Sequence, residues 1–309
     1  MLDTPACALL ADAQEGLNRP QKTLSPKWFY DARGSALFEQ ITRLPEYYPT
    51  RTEAAILRTD ALRLAGLVPP GGALVELGSG ASVKTRTLLD AGGHFGAYVP
   101  IDISEEFLLE TAAHLRARYP YLPVHPVVGD FTQAVILPEA IVDQPKVGFF
   151  PGSTIGNLDP GEAVALLARA RVWPGITRFV LGADLVKEQG DLIAAYDDAA
   201  GVTAAFNRNV LHRLNREVGA DFDVPVFRHE ARWCEDPARI EMHLVATRAQ
   251  VVHLAGQDIH FAEGESIHTE SCRKYTRRTL ATLAAQAGWR LEDMLTDPRD
   301  RFAVAILTV

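Results

Sequence analysis

The sequence predicts an α/β protein: a doubly wound, mostly parallel sheet with a second, smaller α+β part added to it. Three observations carry this expectation. From about residue 52 onward, short apolar runs alternate with stretches of helical length. Four of the first five runs end in glycine or aspartate, the residues found where a strand turns into a ligand-binding loop. The alternation breaks at residue 187, passes through charged, strand-like segments, and resumes at residue 276. The expected division is therefore 52–186 with 276–309 for the doubly wound part, and 1–51 with 187–275 for the other.

The elements follow in order. Glu53 to Leu67 reads as one amphipathic helix that stops before Pro69-Pro70-Gly71-Gly72. Ala73 to Leu77 is an apolar strand, followed by Gly78-Ser79-Gly80 and a helix to Leu89. Ala97 to Ile101 is a second strand closed by Asp102, and the next helix opens at Ser104 with Glu105 and Glu106 in its first turn, where carboxylates suit the helix dipole. Val124 to Val128 is a third strand that ends in Gly129-Asp130-Phe131, and Val147 to Phe150 is a fourth. Asp159, Pro160 and Glu162 form a capping box with proline at the first helical position. Arg178 to Ala183 is a fifth strand, and a single long helix is expected from Gln189 to Val218. Arg228 to Trp233 and Arg239 to Thr247 read as strands. A helix at Thr276 to Ala287, a strand near Trp289 to Met294 and a terminal strand from Phe302 to Val309 complete the sheet.

Composition narrows the function. The 309 residues are 47% hydrophobic and 23% charged, ordinary for a globular protein, and 31 basic against 39 acidic side chains leave a net charge of −8. A chain of this size can bury roughly three quarters of its unfolded surface, so its core needs no disulfide or metal staple. Net acidity without a long Lys/Arg run argues against a nucleic-acid partner. No apolar run reaches the ~18 residues of a membrane span, and the first ten residues carry Asp3 but no Lys or Arg, so no secretory leader is expected. Three cysteines without a CxxC, Cys7, Cys234 and Cys272, speak against a disulfide framework or a zinc knuckle. A cytoplasmic enzyme or binding protein acting on a small molecule is expected, as a monomer.

Three groups of residues carry candidate chemistry. In Val75-Glu76-Leu77-Gly78-Ser79-Gly80 a strand enters a glycine-rich turn, where the backbone can approach a ligand and a helix N-terminus offers free N–H groups. A dinucleotide fingerprint wants Gly or Ala at position 83, where Val83 stands. Asp102 is placed to accept both hydroxyls of a ribose, and Asp130 to meet an adenine. The set fits S-adenosylmethionine better than NAD; the plainer alternative is a tight turn with two capping carboxylates. In Phe149 to Asn157, Asn157 can orient an amine or carboxylate through its amide, or simply lead into the Asp159 cap. The aromatic clusters Trp28-Phe29-Tyr30 and Tyr47-Tyr48, with Tyr196, can hold a cationic amine on ring faces or serve as packing. Nine histidines show no HExxH or HxH pairing, so no metal is expected.

Together these segments resemble the histidine-specific Nα-methyltransferases of ergothioneine biosynthesis. The matching stretches are Pro26 to Asp31, Gly34 to Phe38, Ile41 to Arg51, Leu74 to Lys84, Gly152 to Leu158, Gly182 to Lys187, Ala195 to Asp198 and Phe206 to Asn209. The long N-terminal aromatic motif is not a general methyltransferase feature, and the resemblance runs from about residue 20 to the end. It implies a class I methyltransferase domain that binds S-adenosylmethionine, plus a substrate-binding domain. It further implies that Tyr47, Asn157 and Tyr196 hold the amino acid's backbone groups, and that Tyr30 lies near the reacting amine. Glu270 matches the acid that accepts a hydrogen bond from the imidazole, with Met242 beside that ring. Gly78, Lys84, Asp102, Asp130 and Phe131 fall on cofactor positions.

One departure bears on specificity. The family pattern has serine two residues after the glutamate, and this chain has Cys272. A thiol is a weaker donor than a hydroxyl, a loss of about 0.5–1.5 kcal/mol in imidazole binding unless Ser271 supplies the bond. The implied reaction is transfer of methyl groups from S-adenosylmethionine to the α-amine of L-histidine, to the trimethylated betaine hercynine. Alternatives are another amino acid, since related fungal enzymes methylate a prenylated tryptophan, a nicotinamide-dependent dehydrogenase, or a non-catalytic S-adenosylmethionine-binding module.

Overall fold

The computed structural model describes residues 4–309; Asp3, invoked above against a leader, lies outside them. In chain order the elements open with α1 (Thr4–Leu17), β1 (Lys22–Thr23), α2 (Ala32–Ile41), α3 (Pro49–Thr59) and α4 (Ala61–Ala65). Next come β2 (Ala73–Leu77), α5 (Val83–Ala91), β3 (Ala97–Asp102), α6 (Glu105–Arg118), β4 (Val127–Val128), β5 (Lys146–Phe150), α7 (Pro160–Arg171) and β6 (Ile176–Asp184). Then α8 (Gln189–Tyr196), α9 (Val202–Val218), β7 (Phe227–Cys234), β8 (Arg239–Ala246), β9 (Gln250–Leu254), β10 (Gln257–Phe261) and β11 (Ser266–Arg273) follow. The chain ends with α10 (Arg277–Gln286), β12 (Arg290–Thr296) and β13 (Phe302–Thr308). Among the described residues no helix is long and apolar enough to cross a membrane.

The chain folds as two compact units, Pro49–Val186 with Lys274–Val309, and Met1–Tyr48 with Lys187–Arg273. The first contains a seven-stranded sheet in the order β12-β13-β6-β5-β2-β3-β4. Strands β2 to β6 pair in parallel, whereas β13 runs antiparallel to both β6 and β12. This parallel sheet with one reversed strand is the class I methyltransferase arrangement. Strand periodicity sorts its side chains: Val75 and Leu77 enter the core shared with α7 and α10, while Leu74, Tyr98 and Phe149 enter the core on the α3 and α5 side. Glu76, two residues after Leu74, shares that second face. The other unit holds a four-stranded sheet, β1-β11-β8-β7, and the hairpin β9-β10, with apolar side chains of the sheet and of α1, α8 and α9 in one core.

Three expected elements differ. The helix expected over Glu53 to Leu67 is two, because Asp60 ends α3 and opens α4, accepting from Leu64 N through its backbone carbonyl. The helix expected over Gln189 to Val218 is also two: the Asp198 carboxylate accepts from Val202 N at 2.9 Å and Thr203 N at 2.7 Å and so starts α9 afresh. The third strand is two residues, Val127–Val128, with one isolated bridge from Val124 to Tyr98. Pro126 between them has no N–H to give to a ladder and restricts His125 before it.

Candidate functional site

In the seven-stranded unit, β2 delivers the chain into a turn of unusual backbone. Gly78 and Gly80 have positive φ, 63° and 48°, and Ser82 is left-handed at 49° without being glycine. A Cβ on Gly78 would stand 3.3 Å from the Phe131 ring, so this residue keeps the turn close to Phe131, itself packed edge-on against Phe150 at 5.2 Å. The Asp102 carboxylate, at the end of β3, accepts from Gly80 N at 2.9 Å and Ser104 N at 3.0 Å, fixing the turn to the start of α6. Asp130 lies exposed after β4 and caps its own turn, accepting from Thr132 N at 2.8 Å and Thr132 Oγ1 at 2.6 Å. Asn157 ends a short 3-10 turn, Thr154–Asn157, beyond β5.

Lys84 has a partner that the sequence did not announce. Its Nζ lies 2.5 Å from Glu53 Oε2, and Glu53 is fully buried. Both Glu53 oxygens lie 2.9 Å from Gly152 N, so one carboxylate ties α3, the first turn of α5 and the loop after β5 together. Gly182 makes room for it: a Cβ there would stand 2.1 Å from Glu53 Oε1. In the sequence Glu53 reads only as the opening of an amphipathic face; the available signal is a glycine inside the apolar strand β6.

Glu76 is a second buried acid, and a glutamate within an apolar strand is itself a signal. It is fully buried, accepts from Thr85 Oγ1 at 2.5 Å and from the Tyr98 hydroxyl, and Tyr98 in turn meets Ser82 Oγ at 2.8 Å. These contacts pin the left-handed Ser82 to two strands. Burial pushes the Glu76 pKa up to about 8, against the pull of its hydrogen-bond donors. The folded protein thus keeps a proton that the unfolded chain, with a value near 4.5, releases. Stability from this group is complete below about pH 4.5, falls as pH rises toward 8, and is flat above. A Glu76→Gln variant lacks this titration. Relative to wild type, its unfolding free energy should improve by up to a few kcal/mol between pH 5 and pH 8.5. Parallel urea unfolding curves measure this, and a difference that does not change with pH would contradict it.

In the other unit, an aromatic ladder assembles from distant parts of the chain. The 3-10 turn Pro26–Phe29 buries Phe29 against Phe206 of α9, with ring centroids 4.7 Å apart. Asp31 fastens the turn: its carboxylate accepts from Gly34 N at 2.7 Å, Asn209 Nδ2 at 2.8 Å and Arg216 Nη2 at 2.7 Å. Tyr30, thus placed, meets Phe206 and Phe38 edge-on at 5.6 and 5.7 Å. Phe38 meets Tyr47 at 6.3 Å, and Tyr47 meets Tyr196 at 6.2 Å. The ladder ends where the Tyr196 hydroxyl donates to Cys272 Sγ at 3.0 Å. Although Tyr30 is 46% exposed, its hydroxyl loses enough water, beside Glu270, Tyr47 and Cys272, that its pKa lies well above the ordinary tyrosine value. It is a neutral phenol at physiological pH, able to relay a proton through its hydroxyl but not to act as a tyrosinate base.

A β-bulge decides where Glu270 points. His268 pairs with His243 and Glu270 with Met242, so β11 carries one extra residue, Thr269, between them. In a regular strand residues 268 and 270 would share a face; the bulge puts them on opposite faces. Glu270 and Cys272 therefore stand with Met242 and Ile240 on the side of the buried core, and Glu270 is 8% exposed. Thr269 holds the bulge, donating through Oγ1 to Asn207 Oδ1 at 2.7 Å, with the Met242 carbonyl at 2.9 Å. The structure thus brings Tyr30, Tyr47, Tyr196, Met242, Glu270 and Cys272 into one unit, and Gly78, Lys84, Asp102, Asp130, Phe131 and Asn157 into the other.

A family model described as histidine-specific methyltransferase, SAM-dependent, matches residues 9–309. The chain belongs to this family. It is 47% identical over 317 residues to the histidine N-alpha-methyltransferase of Mycolicibacterium smegmatis, covering 98% of this chain and 96% of the relative. It is 44% identical over 314 residues to the enzyme of the same name from Mycobacterium tuberculosis, again covering 98% and 96%. Ergothioneine biosynthesis protein 1 of Neurospora crassa is 33% identical over 197 residues, 62% of this chain and 22% of that protein.

For a SAM-dependent methyltransferase of this family, the glycine-rich turn has an opening of the right kind. A Cβ on Gly80 would meet nothing within 4 Å, and the buried Ser79 hydroxyl has no hydrogen-bond partner among the described residues. A buried hydroxyl without a partner in this turn fits a polar ligand. Each Asp102 oxygen accepts one backbone N–H and keeps a lone pair for a ribose hydroxyl. Membership in the family replaces the dehydrogenase alternative.

Proposed function

We propose that this protein methylates the α-amine of L-histidine three times, giving hercynine for ergothioneine biosynthesis. The unit containing the seven-stranded sheet holds S-adenosylmethionine, and the unit containing the aromatic ladder holds the amino acid. The observation that carries this reading is the bulge that turns the Glu270 carboxylate inward, beside Met242 and among Tyr30, Tyr47 and Cys272. A carboxylate suits the imidazole N–H, and tyrosine faces suit an amine that becomes a quaternary ammonium.

S-adenosylmethionine supplies an electrophilic methyl group. The chain's residues position and desolvate the amine, since no covalent enzyme intermediate is required. Asp102 and the Ser79 hydroxyl hold polar groups of the cofactor, while Glu53 and Lys84 set the loops around them. The α-ammonium must lose a proton before its nitrogen can attack, and the positive sulfonium beside it favours that loss. A strong base is therefore not needed, and the neutral Tyr30 hydroxyl is suited to pass a proton to water.

The test is mass spectrometry after incubation with S-adenosylmethionine and either histidine or a pool of tryptophan, phenylalanine and other amino acids. Three methyl groups on histidine alone are expected. Preferred methylation of another amino acid would overturn the substrate assignment. Restoring the family's serine gives a second, finer test. Cys272→Ser replaces a weak donor with a hydroxyl and should lower the histidine KM about 2- to 10-fold, the equivalent of 0.5–1.5 kcal/mol. An unchanged KM in initial-rate measurements would show that the position does not touch the imidazole.

A further inference from the structure

The face of the four-stranded sheet opposite Met242 and Glu270 carries a second cluster of chemistry-bearing side chains. Glu241 and His243 stand two apart on β8 and so share a face, and His268 on β11 is the direct cross-strand partner of His243. Ligand atoms of all three lie within 4.8 Å of one another. The imidazoles stack at 5.1 Å, and His243 Nε2 meets Glu241 Oε2 at 2.9 Å. His243 is buried at 3% exposure, which is uncommon for a polar ring on the outer face of a sheet.

We propose that Glu241, His243 and His268 bind a single borderline transition-metal dication of the Zn²⁺ or Co²⁺ type. Two imidazoles and one carboxylate are a ligand set such ions take, leaving a fourth position for water. The outer contacts are those that orient metal-binding histidines. His243 Nδ1 lies 3.2 Å from Ser266 Oγ, which can accept a hydrogen bond from Nδ1–H and so leave Nε2 as the ligand atom. His268 Nε2 is held at 3.0 Å by both the Glu270 carbonyl and Ser271 Oγ. Glu241 shares one oxygen with Arg239 and the other with His243, so the cation would take the second. Arg232, across the ladder from Glu241, is already paired with Glu230. The site escaped the sequence because Glu-x-His acquires its third ligand only when β8 and β11 pair.

Placement gives the ion a consequence. His268 precedes the bulge that aims Glu270 and bonds its carbonyl, so a bound cation would clamp that bulge from the outer face. This proposal stands on the β8–β11 ladder alone and does not depend on the substrate being histidine.

The experiment is Co²⁺ titration of metal-stripped, tag-free protein, followed by its visible absorption bands. One Co²⁺ per chain is expected, with binding weakened at least roughly 10- to 100-fold in His268→Ala and in Glu241→Gln. X-ray absorption of the Zn²⁺-loaded wild-type protein should show a nitrogen/oxygen shell with scattering from two imidazoles, a readout that no variant's folding affects. No saturable Co²⁺ binding below 1 mM (about the weakest affinity worth calling a site), binding indifferent to both substitutions, or a zinc shell without imidazole would each overturn the proposal.

Discussion

Glu270→Ala is expected to lower kcat/KM for histidine about 10- to 100-fold while raising it for phenylalanine and tryptophan. The loss is that of a charge-assisted hydrogen bond, about 1.5–3 kcal/mol. The gain has a separate cause. Glu270 is 8% exposed and faces the core side of β11, so an apolar substrate ring would strip its remaining water and offer no donor in return. Sites of this kind reject the wrong side chain by roughly 10⁴–10⁵. Removing the carboxylate removes the penalty, and the histidine preference should shrink by at least about 100-fold. Competition kinetics with the three amino acids measures the ratio directly. If the ratio does not change, Glu270 does not read the side chain.

The second large effect concerns stability. Glu53→Ala leaves the Lys84 ammonium and Gly152 N without the carboxylate that both now use. Breaking a buried ion pair from one side costs about 3–5 kcal/mol; Lys84 retains 20% exposure, so about 3 kcal/mol is expected here. In a protein of 309 residues that is a fall in Tm of about 5 °C. Adding Lys84→Met to Glu53→Ala removes the stranded charge and should recover part of the loss. Calorimetry on the wild type, the single variant and the double variant decides. A double variant no more stable than the single one would mean that the charge of Lys84 is not what Glu53 compensates.

The parallel sheet is legible in the sequence because each of its strands is a short apolar run closed by Gly, Pro or Asp. The reversed strand β13 is legible only as a strand, since antiparallel pairing leaves no mark on its six buried apolar residues, Phe302 to Leu307. The breaks at Asp60 and Asp198 are hidden because apolar periodicity continues on either side, and only the capping carboxylate betrays the second. Glu53 is illegible for a different reason: its backbone partner lies 99 residues away. The site has the same character. Tyr30, Tyr47 and Tyr196 come to notice through resemblance to family motifs, because the edge-to-face contacts that give them meaning join remote segments. The bulge at Thr269 has no local signature, yet it alone sends His268 and Glu270 to opposite faces.

Methyl groups should arrive on the α-nitrogen of histidine, and isotope labelling shows where they land. Histidine incubated with S-adenosylmethionine carrying a ¹³C-labelled methyl group can be followed by carbon-detected NMR. One labelled product resonance is expected, that of a trimethylammonium group next to the α-carbon, with the imidazole unlabelled. Label on an imidazole nitrogen, or on no part of histidine, would contradict it.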